Sequence, residues 1–115
     1  MHETVVAQSV FETILQHANE LGKKPVSAKM SCGQLNPIND EVMNFAFEAA
    51  TNGTVCEGMR LVIEHIPLKA KCNECSEVFD FDIYAGGCVK CKSTDIKFEP
   101  DAPLLLEEIE FEDKE

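Results

Sequence analysis

The sequence CNECSEVFDFDIYAGGCVKC occupies residues 72–91 and contains the cysteine spacing C-x2-C-x12-C-x2-C. Each C-x2-C pair can bring two thiolates to one ion from a tight turn whose backbone amides donate to the sulfurs. Two such turns supply four sulfurs at tetrahedral angles, which suits zinc. Gly86 and Gly87 give the second turn the conformational freedom that it needs. The spacing therefore predicts a structural zinc site whose ligands are Cys72, Cys75, Cys88 and Cys91.

Other chemistries for these four cysteines are weaker interpretations. Iron in a rubredoxin-like site takes the same ligands, and the spacing leaves that alternative open. A redox disulfide needs only one C-x2-C pair, in a thioredoxin-like context that this sequence lacks. Four sulfurs leave no open coordination position, so zinc-activated water is not expected. Since no Ser-His-Asp or Cys-His set, phosphate-binding glycine loop or paired-carboxylate motif is visible, the sequence predicts no enzyme.

Two segments that precede the cysteines have the apolar spacing of amphipathic helices. The first runs from Glu3 to Leu21, with apolar residues at three- and four-residue steps and Gly22 as its C-cap. The second begins at Asn39 or Asp40, either of which can cap it, and runs through about Thr51. The side chains of the second helix that are predicted to face inward are Val42, Phe45, Ala46, Ala49 and Ala50.

Three further segments are predicted to be strands. Residues 26–32 alternate apolar and polar side chains, which is the period of a half-buried strand. Residues 59–66 form the second strand and residues 104–111 the third. Residues 69–98, between these two, lack long periodic segments and contain the four cysteines. This order predicts an α+β fold, with two helices on one face of a three-stranded sheet and an inserted zinc-ribbon-like subdomain.

The composition weighs against several classes of function. The chain has 21 acidic and 10 basic residues, and its net charge of −11 opposes binding to the phosphates of nucleic acids. No apolar run is long enough to span a bilayer, and no basic-then-apolar leader is visible. We therefore expect a cytoplasmic protein with no nucleic-acid partner and no membrane partner.

The first three residues, Met1, His2 and Glu3, have a metal chemistry of their own at a free amino terminus. The α-amine of Met1, the amide nitrogen of His2 and the His2 imidazole can close fused five- and six-membered chelate rings. Such a nitrogen-rich, planar donor set suits Ni(II) or Cu(II). The fourth donor stays open between the Glu3 amide, the Glu3 carboxylate and a group elsewhere such as Asp40. A histidine at position 2 is not by itself evidence of a metal site.

The remaining candidate residues have simpler interpretations. Cys32 lies on the inward phase of the first strand and is predicted to be a small core residue. Cys56 lies in a polar loop, where it can be a free thiol. His17 falls on the polar side of the first helix and His65 near the end of the second strand, and both are predicted at the surface. Asp40 is most simply a helix cap.

Several short motifs, taken together, resemble one family. They are MHETVVAQS at residues 1–9, CGQL at 32–35, FAFE at 45–48, GT at 53–54, LLL at 104–106 and IE at 109–110. With the cysteine quartet, they resemble the HypA/HybF family of hydrogenase nickel-insertion proteins over nearly the whole chain. One small departure is Val5, where many relatives have serine, and it leaves the metal ligands unchanged.

This resemblance implies a nickel metallochaperone. It implies transient Ni(II) at His2, with Glu3 and terminal backbone nitrogens, and structural Zn(II) at the cysteine quartet. It also implies handover of nickel to the [NiFe]-hydrogenase large subunit together with the GTPase HypB. The domains expected are a nickel-binding α/β domain of residues 1–68 plus 99–115 and a zinc-binding insert of residues 69–98. The alternative is a zinc-ribbon protein-interaction module without nickel chemistry, and the sequence leaves open whether urease is also a client.

Overall fold

The computed structural model describes residues 3–113, which form two helices and six strands. Neither helix in this part of the chain is long and apolar enough to cross a membrane. In chain order the elements are α1 (Glu3–Leu21), β1 (Pro25–Gly33), α2 (Asp40–Thr51), β2 (Arg60–Ile66), β3 (Lys69–Cys72), β4 (Val78–Asp80), β5 (Ile96–Phe98) and β6 (Leu105–Phe111).

Both helices have ends that their sequences explain. Gly22 ends α1 with a φ of 64°, and its N–H donates to the Ala18 carbonyl at 2.8 Å. This left-handed conformation favours glycine, as expected of a C-cap. Asn39 caps the start of α2, because its side-chain oxygen accepts the Val42 N–H at 3.0 Å. The cap satisfies one backbone donor that the first helical turn leaves without a partner.

The first sheet has the strand order β2-β1-β6, so β1 is its central strand. Strands β1 and β2 are parallel, and α2 lies in the connection between them, as a parallel pair requires. Strand β6 returns antiparallel on the other side of β1. The parallel register places Cys32 opposite His65.

The main core lies between the two helices and this sheet. Its buried residues include Ile14 from α1, Met30 and Cys32 from β1, and Met43 and Phe47 from α2. The alternation predicted for β1 holds at Ala28, Met30 and Cys32, which are buried. It fails at both ends of the predicted pattern, because Val26 is exposed and Ser31 is fully buried. The predicted fold class is confirmed: two helices cover a three-stranded sheet, and a further segment is inserted before the last strand.

The prediction of which face of α2 is buried is wrong for its two largest side chains. Val42 and Phe45 were expected to face inward, yet their exposed fractions are 47% and 76%. The buried residues of α2 are Met43, Phe47 and Thr51. Two of the three alanines predicted to face inward are partly buried against the core. The predicted inward residues and the residues that are actually buried both have helical spacing. The packing of α2 against α1 therefore determines which of the two faces is buried.

The inserted segment forms a second three-stranded sheet of order β4-β3-β5, in which both neighbours of β3 are antiparallel to it. These three short strands were not predicted. Its core is small: the buried members are Ala70, Cys72, Phe79 and Cys88. Two further aromatic rings, Phe81 and Phe98, meet edge to face with centroids 4.9 Å apart. So few apolar groups do not stabilise a sheet of this size without additional cross-links.

A hydrogen-bonded junction connects the segments on either side of the second sheet to the end of β1. The Asp101 carboxylate accepts the N–H groups of Gln34 and Leu35 at 3.0 and 2.9 Å. The Gln34 side-chain carbonyl accepts the Leu68 N–H at 3.0 Å. Gly33 precedes this turn, and the absence of a side chain there lets residues 101–102 approach the backbone closely.

We predict that Gly33→Ala lowers the free energy of unfolding by about 1–3 kcal/mol, the usual cost of an overpacked site. A Cβ atom at this position would lie 2.4 Å from the Ala102 carbonyl oxygen and 2.3 Å from the Asp101 carboxylate. The carbonyl belongs to the backbone, so the connection itself has to move. Urea unfolding measures the effect. Leu35→Ala is the matched control, because its side chain in the same turn is 69% exposed and its N–H is retained. Equal stability of Gly33→Ala and the control would contradict the prediction.

Candidate metal centre

The four cysteines lie on two turns with the same hydrogen-bond pattern. The Ser76 N–H donates to the Cys72 carbonyl, and the Lys92 N–H donates to the Cys88 carbonyl, both at 3.0 Å. Ser76 and Lys92 each have a φ of 66°, the left-handed conformation that only a few per cent of non-glycine residues adopt. The two turns therefore repeat one backbone geometry, and each presents its pair of sulfurs in the same way.

Backbone amides donate to the first sulfur of each turn. The Cys72 sulfur accepts the N–H groups two and three residues later, both at 3.4 Å. The Cys88 sulfur accepts the corresponding N–H groups at 3.3 and 3.4 Å. Hydrogen bonds to a sulfur stabilise its thiolate form, which is the form that binds a metal.

The sulfur atoms lie at distances that fit a tetrahedral ion. Cys72 and Cys91 have sulfurs 3.5 Å apart, and Cys75 and Cys88 have sulfurs 3.6 Å apart. All four sulfurs lie within 4.8 Å of one another, and among residues 3–113 no other cluster of three or more potential ligands is this close. Zinc–sulfur bonds of about 2.3 Å in a tetrahedron separate the sulfurs by about 3.8 Å. The donor set therefore fits a tetrahedral divalent ion such as zinc.

The thiol pKa values diverge within this cluster. The pKa of Cys88 is lowered to about 6, chiefly because its sulfur accepts a hydrogen bond from the Cys91 N–H. A hydrogen bond from the Lys90 N–H also lowers it. The largest single influence on Cys91 is an N–H hydrogen bond from Ser93, which lowers its pKa. The neighbouring Cys72 sulfur, burial and the other two thiols outweigh that bond and raise the pKa of Cys91 to about 12. Four thiolates this close repel one another, so their joint ionisation requires a bound cation.

The predicted nickel ligands are only partly within the described residues. His2 lies outside them, so the structure does not test its role. Glu3 is the first residue of α1, and its carboxylate accepts the Asn39 N–H at 3.0 Å. Asn39 is the N-cap of α2 and Asp40 is its first residue. The fold therefore brings the start of α1 to the start of α2, next to a second carboxylate.

The structure brings together a Cys-His-Asp set, which sequence analysis did not find. The His65 ring nitrogens lie 3.4 Å from the Cys32 sulfur, at Nδ1, and 2.6 Å from the Asp40 carboxylate, at Nε2. The sequence motifs, in which no Cys-His set was visible, therefore missed these residues. The parallel pairing of β1 with β2 brings Cys32 and His65 together. The register of that pairing cannot be read from a local sequence pattern.

The other two sequence predictions about cysteines have different outcomes. Cys32 is confirmed as a core residue with an exposed fraction of 1%. Cys56 was expected in a polar loop, but it is fully buried in the main core. Burial raises the pKa of the Cys56 thiol, against a smaller opposing effect from a hydrogen bond with Thr54. Cys56 therefore behaves as a small apolar residue and not as a reactive thiol.

The fold and the sulfur cluster define a small α+β metal-binding protein with a zinc-ribbon-like insert. A family model described as "Hydrogenase/urease nickel incorporation, metallochaperone, hypA" matches residues 1–111. The chain belongs to this HypA family of nickel-incorporation metallochaperones, which acts in hydrogenase maturation.

Similar proteins support this assignment along the whole length of the chain. A hydrogenase maturation factor HypA from Desulfitobacterium hafniense (strain DSM 10664 / DCB-2) is 37% identical over 114 residues, covering 98% of this chain and 100% of its own. HybF from Proteus vulgaris is 32% identical over 113 residues, with 97% and 100% covered. The solution structure of the nickel metallochaperone HypA from Helicobacter pylori matches with a TM-score of 0.60 and 24% identity, over 96% of this chain and 97% of that one. This structural match supports the fold.

Proposed function

We propose that this protein binds Ni(II) at its amino-terminal segment and delivers it to the large subunit of [NiFe]-hydrogenase during maturation. The observation that carries the proposal is the match of a nickel-incorporation family model to residues 1–111, a range that includes both His2 and Glu3. The chain acts as a carrier and not as an enzyme, so its ligands have to release the ion as well as hold it.

The proposed nickel site combines the start of the chain with the start of α2. The Met1 amine, the His2 amide nitrogen and the His2 imidazole form a planar set of nitrogen donors, which Ni(II) prefers. Glu3 supplies a carboxylate that the Asn39 N–H already orients. Asp40 is the next residue after that N-cap, and we propose it as a further oxygen donor. A site with few protein side-chain ligands exchanges an ion more readily than a closed set of four thiolates does.

The cysteine quartet has a different proposed role. We assign it a structural Zn(II) that cross-links residues 69–98 into a zinc-binding insert, while residues 1–68 plus 99–115 carry the nickel site. The sulfur distances of 3.5 and 3.6 Å support this assignment, and so does the small core of the second sheet. An ion with four sulfur ligands has no open coordination position and is not easily released. The zinc site is therefore assigned a structural role, and the nickel site is assigned the role of delivery.

The proposed partners are the hydrogenase large subunit and the GTPase HypB, in the cytoplasm. The net charge of −11 makes a basic protein surface a suitable partner and a nucleic acid an unsuitable one. An alternative is a zinc-ribbon interaction module that binds partner proteins but no nickel. Such a module would contain one zinc per chain and would not retain nickel during dialysis.

Delivery is tested by following nickel-63 from the loaded protein to a nickel-free large subunit. A strong chelator in the solution captures any ion that dissociates. We expect nickel to reach the subunit, with HypB present, while little appears on the chelator, because transfer occurs inside a complex.

The control replaces the loaded protein with an equal amount of free nickel under the same conditions. In that case the chelator is expected to capture nearly all of the ion. If the loaded protein gives the same distribution as free nickel, the chain is not a delivery protein.

A further inference from the structure

A chain of two side-chain hydrogen bonds runs from the main core to the start of α2. Cys32 and His65 are cross-strand partners on β1 and β2, and the Cys32 sulfur lies 3.4 Å from Nδ1 of the His65 ring. On the other side of the ring, Nε2 lies 2.6 Å from Oδ1 of Asp40. One end of this chain is buried, since Cys32 is 1% exposed, and the other end is at the surface.

For a neutral His65 ring beside an ionised Asp40 carboxylate, the direction of both hydrogen bonds is fixed. An ionised carboxylate only accepts, so the His65 Nε2–H donates to Asp40. In the neutral ring, Nδ1 is then the acceptor, and it accepts a hydrogen bond from the Cys32 thiol. Both ring nitrogens are thus occupied, and the ring orientation is held from a buried, well-packed position.

The carboxylate that receives this hydrogen bond lies where nickel is proposed to bind. Asp40 follows Asn39, whose N–H donates to the Glu3 carboxylate at 3.0 Å. His65 occupies only one oxygen of Asp40, and Oδ2 accepts no hydrogen bond from the residues that the structure describes. One oxygen is therefore anchored while the second is available to an ion.

We propose that His65, held by Cys32, is a positioning residue that orients the Asp40 carboxylate for nickel, an inference that rests on the proposed function. Ligating carboxylates are commonly held by hydrogen bonds from neighbouring groups, and loss of such a partner lowers metal affinity about 10–100-fold. His65 acts through Asp40 and not as a ligand, because in this arrangement neither ring nitrogen is available to a metal.

The test compares nickel dissociation constants of His65 variants by competition with a chelator. His65→Leu removes the hydrogen-bond donor and is expected to weaken nickel binding about 10-fold or more. His65→Gln retains an N–H at a similar distance from the backbone and is expected to recover most of the affinity. The matched control is His17→Leu, the same substitution at an exposed histidine of α1, which is expected to leave affinity unchanged.

Two further measurements separate positioning from other roles. In an Asp40→Asn background, His65→Leu is expected to have no additional effect, because the two residues act as a unit. X-ray absorption of the nickel-loaded protein is expected to show the same number of imidazole ligands in wild type and His65→Leu. A lost imidazole in the variant would make His65 a ligand and overturn the proposal. Equal affinity of His65→Leu and wild type would overturn it as well.

The role of Cys32 is tested by a pair of small substitutions. Cys32→Ser retains a hydroxyl donor of similar size, whereas Cys32→Ala removes the donor. We expect the alanine variant to bind nickel more weakly than the serine variant. The opposite order, or equal affinity, would show that the thiol does not hold the ring.

The failure of this inference can be distinguished from the failure of the proposed function. Acetylation of the Met1 amine removes the proposed amine–amide–imidazole chelate and does not change the His65 chain. If acetylation abolishes tight binding and His65→Leu does not weaken it, only the positioning role fails. If acetylation has no effect, the amino-terminal site itself is wrong, and the inference fails with it.

Discussion

Replacing Cys72 with serine is expected to unfold residues 69–98 and to leave the main core folded. Cys72 is fully buried in the second sheet, whose core contains only a few apolar residues. A structural zinc ion contributes on the order of 10 kcal/mol of apparent folding free energy to a small segment of this kind. Three remaining sulfurs hold the ion far less tightly, so most of this stabilisation is lost. The main core is built from α1, α2 and the first sheet and contains none of the four ligands.

Amide hydrogen exchange followed by NMR measures this effect residue by residue. In Cys72→Ser, protection is expected to disappear in β3, β4 and β5 and to persist in α1 and β1. Zinc analysis of the purified variant should give much less than one ion per chain. The control is Val89→Ala, a half-exposed residue between two of the ligands, which is expected to retain both zinc and protection. Full protection of β3 in a zinc-free Cys72→Ser protein would contradict a structural role for the ion.

Acetylation of the Met1 amino group is expected to weaken nickel binding at least about 100-fold, which corresponds to about 2.8 kcal/mol at 25 °C. The acetyl group removes the α-amine as a donor, so the amine, the His2 amide nitrogen and the imidazole can no longer form adjoining chelate rings. The remaining donors are one imidazole and carboxylates, and they bind Ni(II) without that chelate. The zinc content and the free energy of unfolding should not change, because the modification lies far along the chain from the cysteine quartet.

Calorimetry with Ni(II) on untagged protein, beside the acetylated form, measures the difference directly. If the acetylated protein binds nickel as tightly as the unmodified one, the amine is not a ligand and the proposed site is wrong.

Several features of the protein were predictable because they depend on residues that are close in the chain. The helical spacing of α1 recurs every three or four residues, and it gave that helix the bounds that the structure has. The two C-x2-C pairs each lie within one turn, so their chelating geometry follows from local backbone conformation. The four sulfurs accordingly form the cluster that the spacing predicted. The strands of the second sheet were missed, since segments of three or four residues are too short to show a period.

By itself, the sequence determined which segments are helices and long strands, and which four sulfurs can share an ion. Only the tertiary structure decided the buried face of α2 and the contacts of His65. Two stripes on α2 have helical spacing, and packing against α1 buries the one that contains Met43 and Phe47. His65 lies 33 residues from Cys32, and a slip of one residue between β1 and β2 would turn its side chain to the opposite face of the sheet. Its contacts with Cys32 and Asp40 therefore depend on the strand register, which is set by burial of the core side chains of both strands against the helices.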